Sequence, residues 1–569
     1  MPPGDVSSHL EELRARVEEL ERRLSALEHP RERHSSHGES AAEPAIAHSG
    51  SGEAALGQTQ PNLFSVFGRA VLGIAGAYLL RAAAESGLLA SWLALTLALA
   101  YAAAWLVWAG WPGAQTLIAR HFYGITAALI LSPMLWEVTV RFRMLAPPAT
   151  ASLLAGFALL AMTLAWRANS SPVVWAGMLT AVITAILLMV ATREPVPFSE
   201  ALLAMAVMSE VAASRGRWRV LRAIVAVAAD FTALITVLIL GDASAIPQEY
   251  HAADARVLIA IVASLFVVYA VSLAVRSLAF RLKITSFEAA QLAASALLAG
   301  WGVLRITQGA GLRAVGVCCL ASGAACYFVA FGLRAWHSER RNFHFYAVCG
   351  VAFLTAGSFL ALPAVPLVMW LCAAAVAASG LGVRARSAAL DLHGVVYLSG
   401  AVAASGLLVY AGRALAGAYP GAPEALLIVA AATALVCAAM VSRYPGEHAG
   451  ERVLRSLPAI LAVYGTAGLA VAGLVAVIAG GSTPTLPQLA VVRTVVTCAA
   501  ALVLAFAGAR FQRVELVWMG YAAAVLGSLK MVFEDLRFGS TQSLAASLLI
   551  YGAVLILIPR LVRAGKRRA

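Results

Sequence analysis

From Phe64 onward the sequence is a succession of apolar runs separated by short polar or charged turns. A helix rises about 1.5 Å per residue, so a run of roughly 17 to 25 apolar residues spans the hydrocarbon core of a bilayer. About eighteen such runs occur, near 64–81, 87–109, 120–138, 145–166, 172–191, 198–213, 220–240, 256–275, 285–304, 313–333, 343–362, 364–382, 390–411, 424–442, 455–480, 488–508, 514–533 and 541–560. Connections as short as LPAVP at 362–366 make successive helices antiparallel neighbours. The pattern predicts an all-α fold, a polytopic integral membrane helix bundle over residues 63–560 followed by a basic tail at 561–569.

The polar N-terminus has a different period. Leu10, Leu13, Val17, Leu20, Leu24 and Leu27 recur at alternating spacings of three and four, as a and d positions of a heptad do. Ser8 and Glu11 form a capping box and Pro30 ends the run, which predicts a coiled-coil helix over 7–29 after a disordered 1–6. Its flanking charges are of mixed sign, as on a solvated coil rather than a membrane-surface helix. So short a coil is marginal alone, and either a homo-oligomer, another protein partner or a lone solvated helix accounts for it. Residues 30–62, rich in Ser, His, Gly and Glu, read as a flexible linker whose histidines (His34, His37, His48) are too scattered to hold a metal. The first apolar run follows this polar stretch and is expected to act as an uncleaved signal anchor.

Composition agrees with this division. The chain is 61% hydrophobic and 12% charged, which excludes an ordinary soluble domain. Its net charge of +13 could suggest nucleic acid, but the basic residues cluster in turns between apolar runs, so topology accounts for them and no nucleic-acid partner is expected. Alternate turns carry Arg215, Arg217, Arg219 and Arg222; Arg276, Arg281 and Lys283; Arg334, Arg340 and Arg341; Arg384 and Arg386; Arg443, Arg452 and Arg455; and Arg510 and Arg513. The intervening loops are poor in Lys and Arg, so the positive-inside rule puts both termini in the cytoplasm. Arg141 and Arg143 break this alternation. The seven cysteines lie in apolar runs without a CxxC pair and read as small buried hydrophobes.

Several segments together resemble an uncharacterised family of bacterial polytopic membrane proteins, a domain of unknown function that pairs a short N-terminal coiled coil with a long array of membrane helices. They are the heptads at 10–27, the hairpin GIAGAYLLRAAAESGLL, the junction SRGRWRVLRAI at 214–224, and LGSLKMVFEDL at 526–536 near the last hairpin. The resemblance implies a multi-pass fold in the bacterial cytoplasmic (inner) membrane and carries no activity with it.

Ionisable residues inside membrane spans are costly and therefore candidates for function. Asp230 is the most central and should face the bundle interior, either bonded to a neighbouring helix or acting as a proton or ion site. Glu210 and Glu288 lie near helix ends, where they are expected to snorkel to water. Glu85, Glu137, Arg141, Arg143, Arg305, Arg313, Arg493, Lys530, Glu534 and Asp535 fall at the predicted outer boundary. There they could converge on one shallow cavity for an anionic head group, or pair locally. HExxH, GxSxG and Walker A signatures are absent and no cofactor is implied. The leading expectation is transport or handling of an anionic lipid or amphiphile at the outer side. A structural scaffolding oligomer is the alternative, and a membrane-embedded transferase the third.

Overall fold

The structure is a computed structural model that describes residues 51–86, 90–111, 117–332, 340–442, 449–480, 484–535 and 541–566, with Glu18, Leu88 and Arg537 as isolated positions. The chain divides into two compact units, Met1–Gly68 and Arg69–Ala569. In the first, the expected coiled coil over 7–29 lies outside the described residues apart from Glu18, which is helical. Helix α1 (Ser51–Glu85) begins inside the stretch expected as a linker, where Ala54, Ala55 and Leu56 are good helix formers.

The second unit is all helical among its described residues. After α1 come α2 (Ser91–Gly110), α3 (Leu117–Trp136), α4 (Pro147–Ala168), α5 (Ser171–Thr192), α6 (Pro195–Ser214), α7 (Arg219–Leu240), α8 (Ala255–Ala274) and α9 (Ser286–Ile306). They are followed by α10 (Leu312–Tyr327), α11 (Arg340–Ala361), α12 (Ala364–Ala385), α13 (Ala388–Ala404), α14 (Leu407–Ala416), α15 (Ala425–Ser442), α16 (Ala449–Ala479), α17 (Leu486–Arg510), α18 (Val514–Lys530) and α19 (Thr541–Lys566). Among the described residues, seventeen helices are long and apolar enough to cross a membrane, and α13 with α14 makes an eighteenth passage if that bent pair is one span. The chain is a multi-pass membrane protein. Of the expected tail, Arg563 and Lys566 still belong to α19.

Eight consecutive pairs pack intimately as hairpins: α2/α3, α4/α5, α6/α7, α8/α9, α10/α11, α12/α13, α15/α16 and α17/α18. With α13 and α14 counted as one passage, these hairpins turn at the same end, the end of the arginine-rich connections. Water does not drive helices together inside a bilayer, so close packing of small residues has to do so. In α10/α11 this is explicit: a Cβ built on Gly316 would lie 2.8 Å from the backbone N of Ala361, and one on Gly323 2.8 Å from the N of Leu354. A second apolar centre joins α12, α13, α15 and α16 through Leu371, Leu398, Ala430, Ala434, Cys437 and Ala462.

Two irregularities position the polar groups. Among the described residues four helices end in a π turn, at Glu137–Arg141, Val275–Ala279, Phe328–Gly332 and Met531–Asp535. After two of these, Arg143 and Arg281 close the helix in the left-handed conformation, both at φ 50°. Such closures usually take glycine. The expected span at 390–411 is broken, because Gly406 at φ 77° ends α13 and α14 departs at 66°.

Gly323→Ala and Gly316→Ala should each destabilise the protein by about 1–3 kcal/mol, since backbone rather than a flexible side chain opposes the added methyl. Gly156, with nothing within 4 Å of its added Cβ, provides the control. Thermal unfolding in detergent should show a lowered midpoint for the first two and none for Gly156→Ala.

Candidate functional sites

Three polar sites are built where helices end or break. The first surrounds the broken passage. The last-turn carbonyls of a helix have no partner within its regular hydrogen bonding, and α14 ends with Ala414 buried and Ala416 and Gly417 exposed. Arg493, from the second turn of α17 and 4% exposed, supplies the donors. Its Nε donates to the Ala414 carbonyl at 2.7 Å, and its Nη2 donates to the carbonyls of Arg413, at 3.2 Å, and Gly417. Its Nη1 pairs with Glu534. The Lys530 ammonium beside it donates to Ala490 O and Thr494 Oγ1, both at 2.6 Å, and to Asp535, while Thr494 donates to the other Asp535 oxygen at 2.8 Å. An ammonium has three N–H donors and a guanidinium five. Lys530 therefore spends all of its donors and Arg493 four of its five on the protein, which makes this a lock for α14 rather than an open anion receptor.

The second site is a cavity of about 170 Å³ among α1, α2, α3 and the π turn after α3. Its walls are apolar, including Ile74, Ala77, Leu95, Ala98 and Ile130. One ion pair borders it, Arg81 Nη1 to Glu137 Oε1 at 2.6 Å. Exposed Tyr78, Leu129, Phe142 and Met144 also line it, so it reaches the molecular surface.

The third lies toward the arginine-rich end of α6–α9. Thr285 and Glu288 form a capping box at the start of α9: Thr285 N–H donates to Glu288 Oε2 at 2.8 Å, and Glu288 N–H returns a bond to Thr285 Oγ1. The carboxylate so fixed turns Oε1 toward Arg222 at 3.0 Å and Arg276 at 2.7 Å. Arg222 also approaches Glu210 Oε2 at 3.5 Å, and Ser272 donates to that oxygen at 2.5 Å. Glu210, Arg222, Arg276 and Glu288 are all buried. Glu210 and Glu288 therefore do not snorkel; the cations they meet were legible only as topology signals. Nearby, Asp230 accepts from Gln291 Nε2 at 2.7 Å.

The ten boundary residues do not share one contact network. Arg493, Lys530, Glu534 and Asp535 come together in the first site, and Glu137 belongs to the second. Arg141 is exposed beside the Phe142 ring, 5.4 Å from its centroid, and Arg143 is an exposed helix terminator. Arg305 lies over Trp301 on α9 and Arg313 is exposed at the start of α10. Glu85 ends α1, and its side chain is outside the described residues. No known protein family, curated protein or solved structure matches the chain. The sites are therefore read from their own chemistry.

Sequence reasoning did not single out Arg81, Gln291 or the buried pair of Arg455 Nε and Asp391 Oδ2 at 2.7 Å, which ties α13 to α16. Arg513 reinforces that junction by donating to the Arg452 carbonyl at 2.9 Å and the Arg455 carbonyl at 3.4 Å. Asp391 and Arg222 were visible as charges in the first turn of an apolar helix, a signal that marks a candidate and leaves its partner open.

Arg493→Gln should leave the α14 carbonyls without their donor and Glu534 with only Lys530, 3.7 Å away, at a cost of about 3–5 kcal/mol, the range for one member of a buried pair. Hydrogen–deuterium exchange should accelerate across residues 407–417 and little over α4/α5. Unchanged exchange there would show that Arg493 does not hold the broken helix.

Proposed function

We propose that the chain binds and handles a membrane amphiphile through the cavity among α1, α2 and α3. The observation that carries the reading is an apolar cavity of about 170 Å³ that combines an outlet to the surface with the Arg81–Glu137 ion pair at its border. A cavity of roughly 150 Å³ lined by aliphatic side chains holds an apolar guest the size of benzene, so this one accommodates a segment of one hydrocarbon chain. An anionic head group would then compete with Glu137 for the Arg81 guanidinium, whose planar fork suits phosphate or carboxylate. Lys530 and Arg493 are committed to protein acceptors, so head-group recognition falls to Arg81.

This reading is non-enzymatic and places the chain in the bacterial cytoplasmic membrane, as the resemblance implies. Eighteen passages, an even number, would bring both termini to one side, and the arginine-rich turns make that side the cytoplasm. The cavity then belongs to the outer side. A scaffolding oligomer assembled through residues 8–29 is the second reading; the use of most Lys530 and Arg493 donors within the protein favours it.

Native mass spectrometry of the detergent-purified protein separates the two. Wild type should retain about one amphiphile per chain, Ala98→Phe should lose it by filling the cavity, and Arg81→Gln should keep the chain class but lose preference for anionic head groups. Identical lipid on wild type and Ala98→Phe, with an oligomer that collapses when residues 1–30 are removed, would replace amphiphile handling by scaffolding.

A further inference from the structure

The polar network of α6–α9 has an unbalanced charge. Two carboxylates, Glu210 and Glu288, pair with two guanidiniums, Arg222 and Arg276, and a third, Asp230, is joined to them only through Gln291. Glu288 accepts a hydrogen bond from Arg222 and a backbone N–H and forms an ion pair with Arg276 at 2.7 Å; Arg222 Nε and Arg276 Nε and Nη1 have no hydrogen-bond partner in the protein, and a water in the cavity these arginines line would serve them. Glu210 has a distant share of Arg222 and a hydroxyl from Ser272. Asp230 has an amide on one oxygen, and its buried Oδ1 has no hydrogen-bond partner. Neither helix packed on the far side of α6 restores the balance: α5 carries no ionisable side chain and α4 only Arg167. Beyond α8, the Tyr346 hydroxyl bonds Ser277 at 2.7 Å.

A second, independent observation points to an occupant. A cavity of about 10 Å³, the volume that admits one water, is lined by Glu210, Arg222, Tyr269, Ser272, Glu288 and Gln291, among others. The Tyr269 hydroxyl, on a side chain 4% exposed, lines it without a hydrogen-bond partner. Gln291 connects this cavity to Asp230. Two guanidiniums beside so small a space disfavour a metal cation, whereas a proton cancels the excess charge without needing room.

We propose that Glu210 and Asp230 form a binding site for one exchangeable proton, reached through the cavity that Tyr269 lines. In the resting state one of the two carboxyls is neutral. On release, its O–H bond breaks, the proton passes to a water in the cavity, and the electron pair stays on the carboxylate oxygen. Arg222 and Arg276 then face three anions until a proton returns. The site is separate from the amphiphile cavity and stands whether or not that cavity binds lipid.

Infrared spectroscopy of the full-length protein in detergent tests it by charge arithmetic. At neutral pH wild type should show a protonated-carboxyl band that shifts on transfer to D₂O. Glu210→Gln and Asp230→Asn each leave two acids against two arginines, so either should abolish the band. Arg222→Gln leaves three acids against one arginine and should roughly double it. Circular dichroism and thermal unfolding identify variants that fold, and one folded acid variant suffices. Absence of the band from wild type, its survival in a folded acid variant, or its failure to shift in D₂O would each overturn the proposal.

Discussion

Hydrocarbon offers no hydrogen bonds, so each backbone carbonyl and each charge that enters a membrane domain must be satisfied by the protein itself. This constraint makes the chain a series of helices, and it acts most visibly where a helix stops. Gly406 breaks a passage, and Arg493 reaches from α17 to donate to the carbonyls at the end of α14. Glu534, at the π turn after α18, then neutralises Arg493. Removal of any one part would expose another, which is why a costly buried guanidinium is tolerated there.

The same chemistry leads to different outcomes because donors and acceptors are present in different numbers. Around Lys530 and Arg493 all donors but one are spent on the protein, so little is left for a ligand. Around Arg222 the carboxylates outnumber the cations by one, which creates a demand for a proton. Arg81 and Glu137 form an ion pair that borders an apolar cavity where a competing head group could enter. Counting bonds at each centre therefore separates a structural lock from two centres with capacity for something more.

The π turns have a part in all three. They carry Glu137, Arg276, and the pair Glu534 and Asp535, so three of the four helix ends widened in this way hold a member of a polar site. A π turn inserts a residue at the helix end and re-aims the side chains that follow, at some loss of regular hydrogen bonding. Here the re-aimed groups meet partners on other hairpins, and their ion pairs offset that loss.

Much of the architecture was legible in the sequence, because membrane thickness sets helix length and apolar composition marks each helix directly. The eighteen expected spans correspond to the seventeen observed helices and the bent pair, and SGL at 405–407 held the residue that bends it. The Thr285 and Glu288 capping box was also readable as a local pattern, since it is closed within four residues. The partners were not: Glu288 with Arg222 joins residues 66 apart, Arg493 with Ala414 joins residues 79 apart, and neither spacing has a local signature. Sequence determined which groups would need satisfying, because charge and hydropathy belong to single residues. Only the tertiary structure decided which were paired, which were left in excess and where a cavity remained, because those depend on how separate hairpins pack.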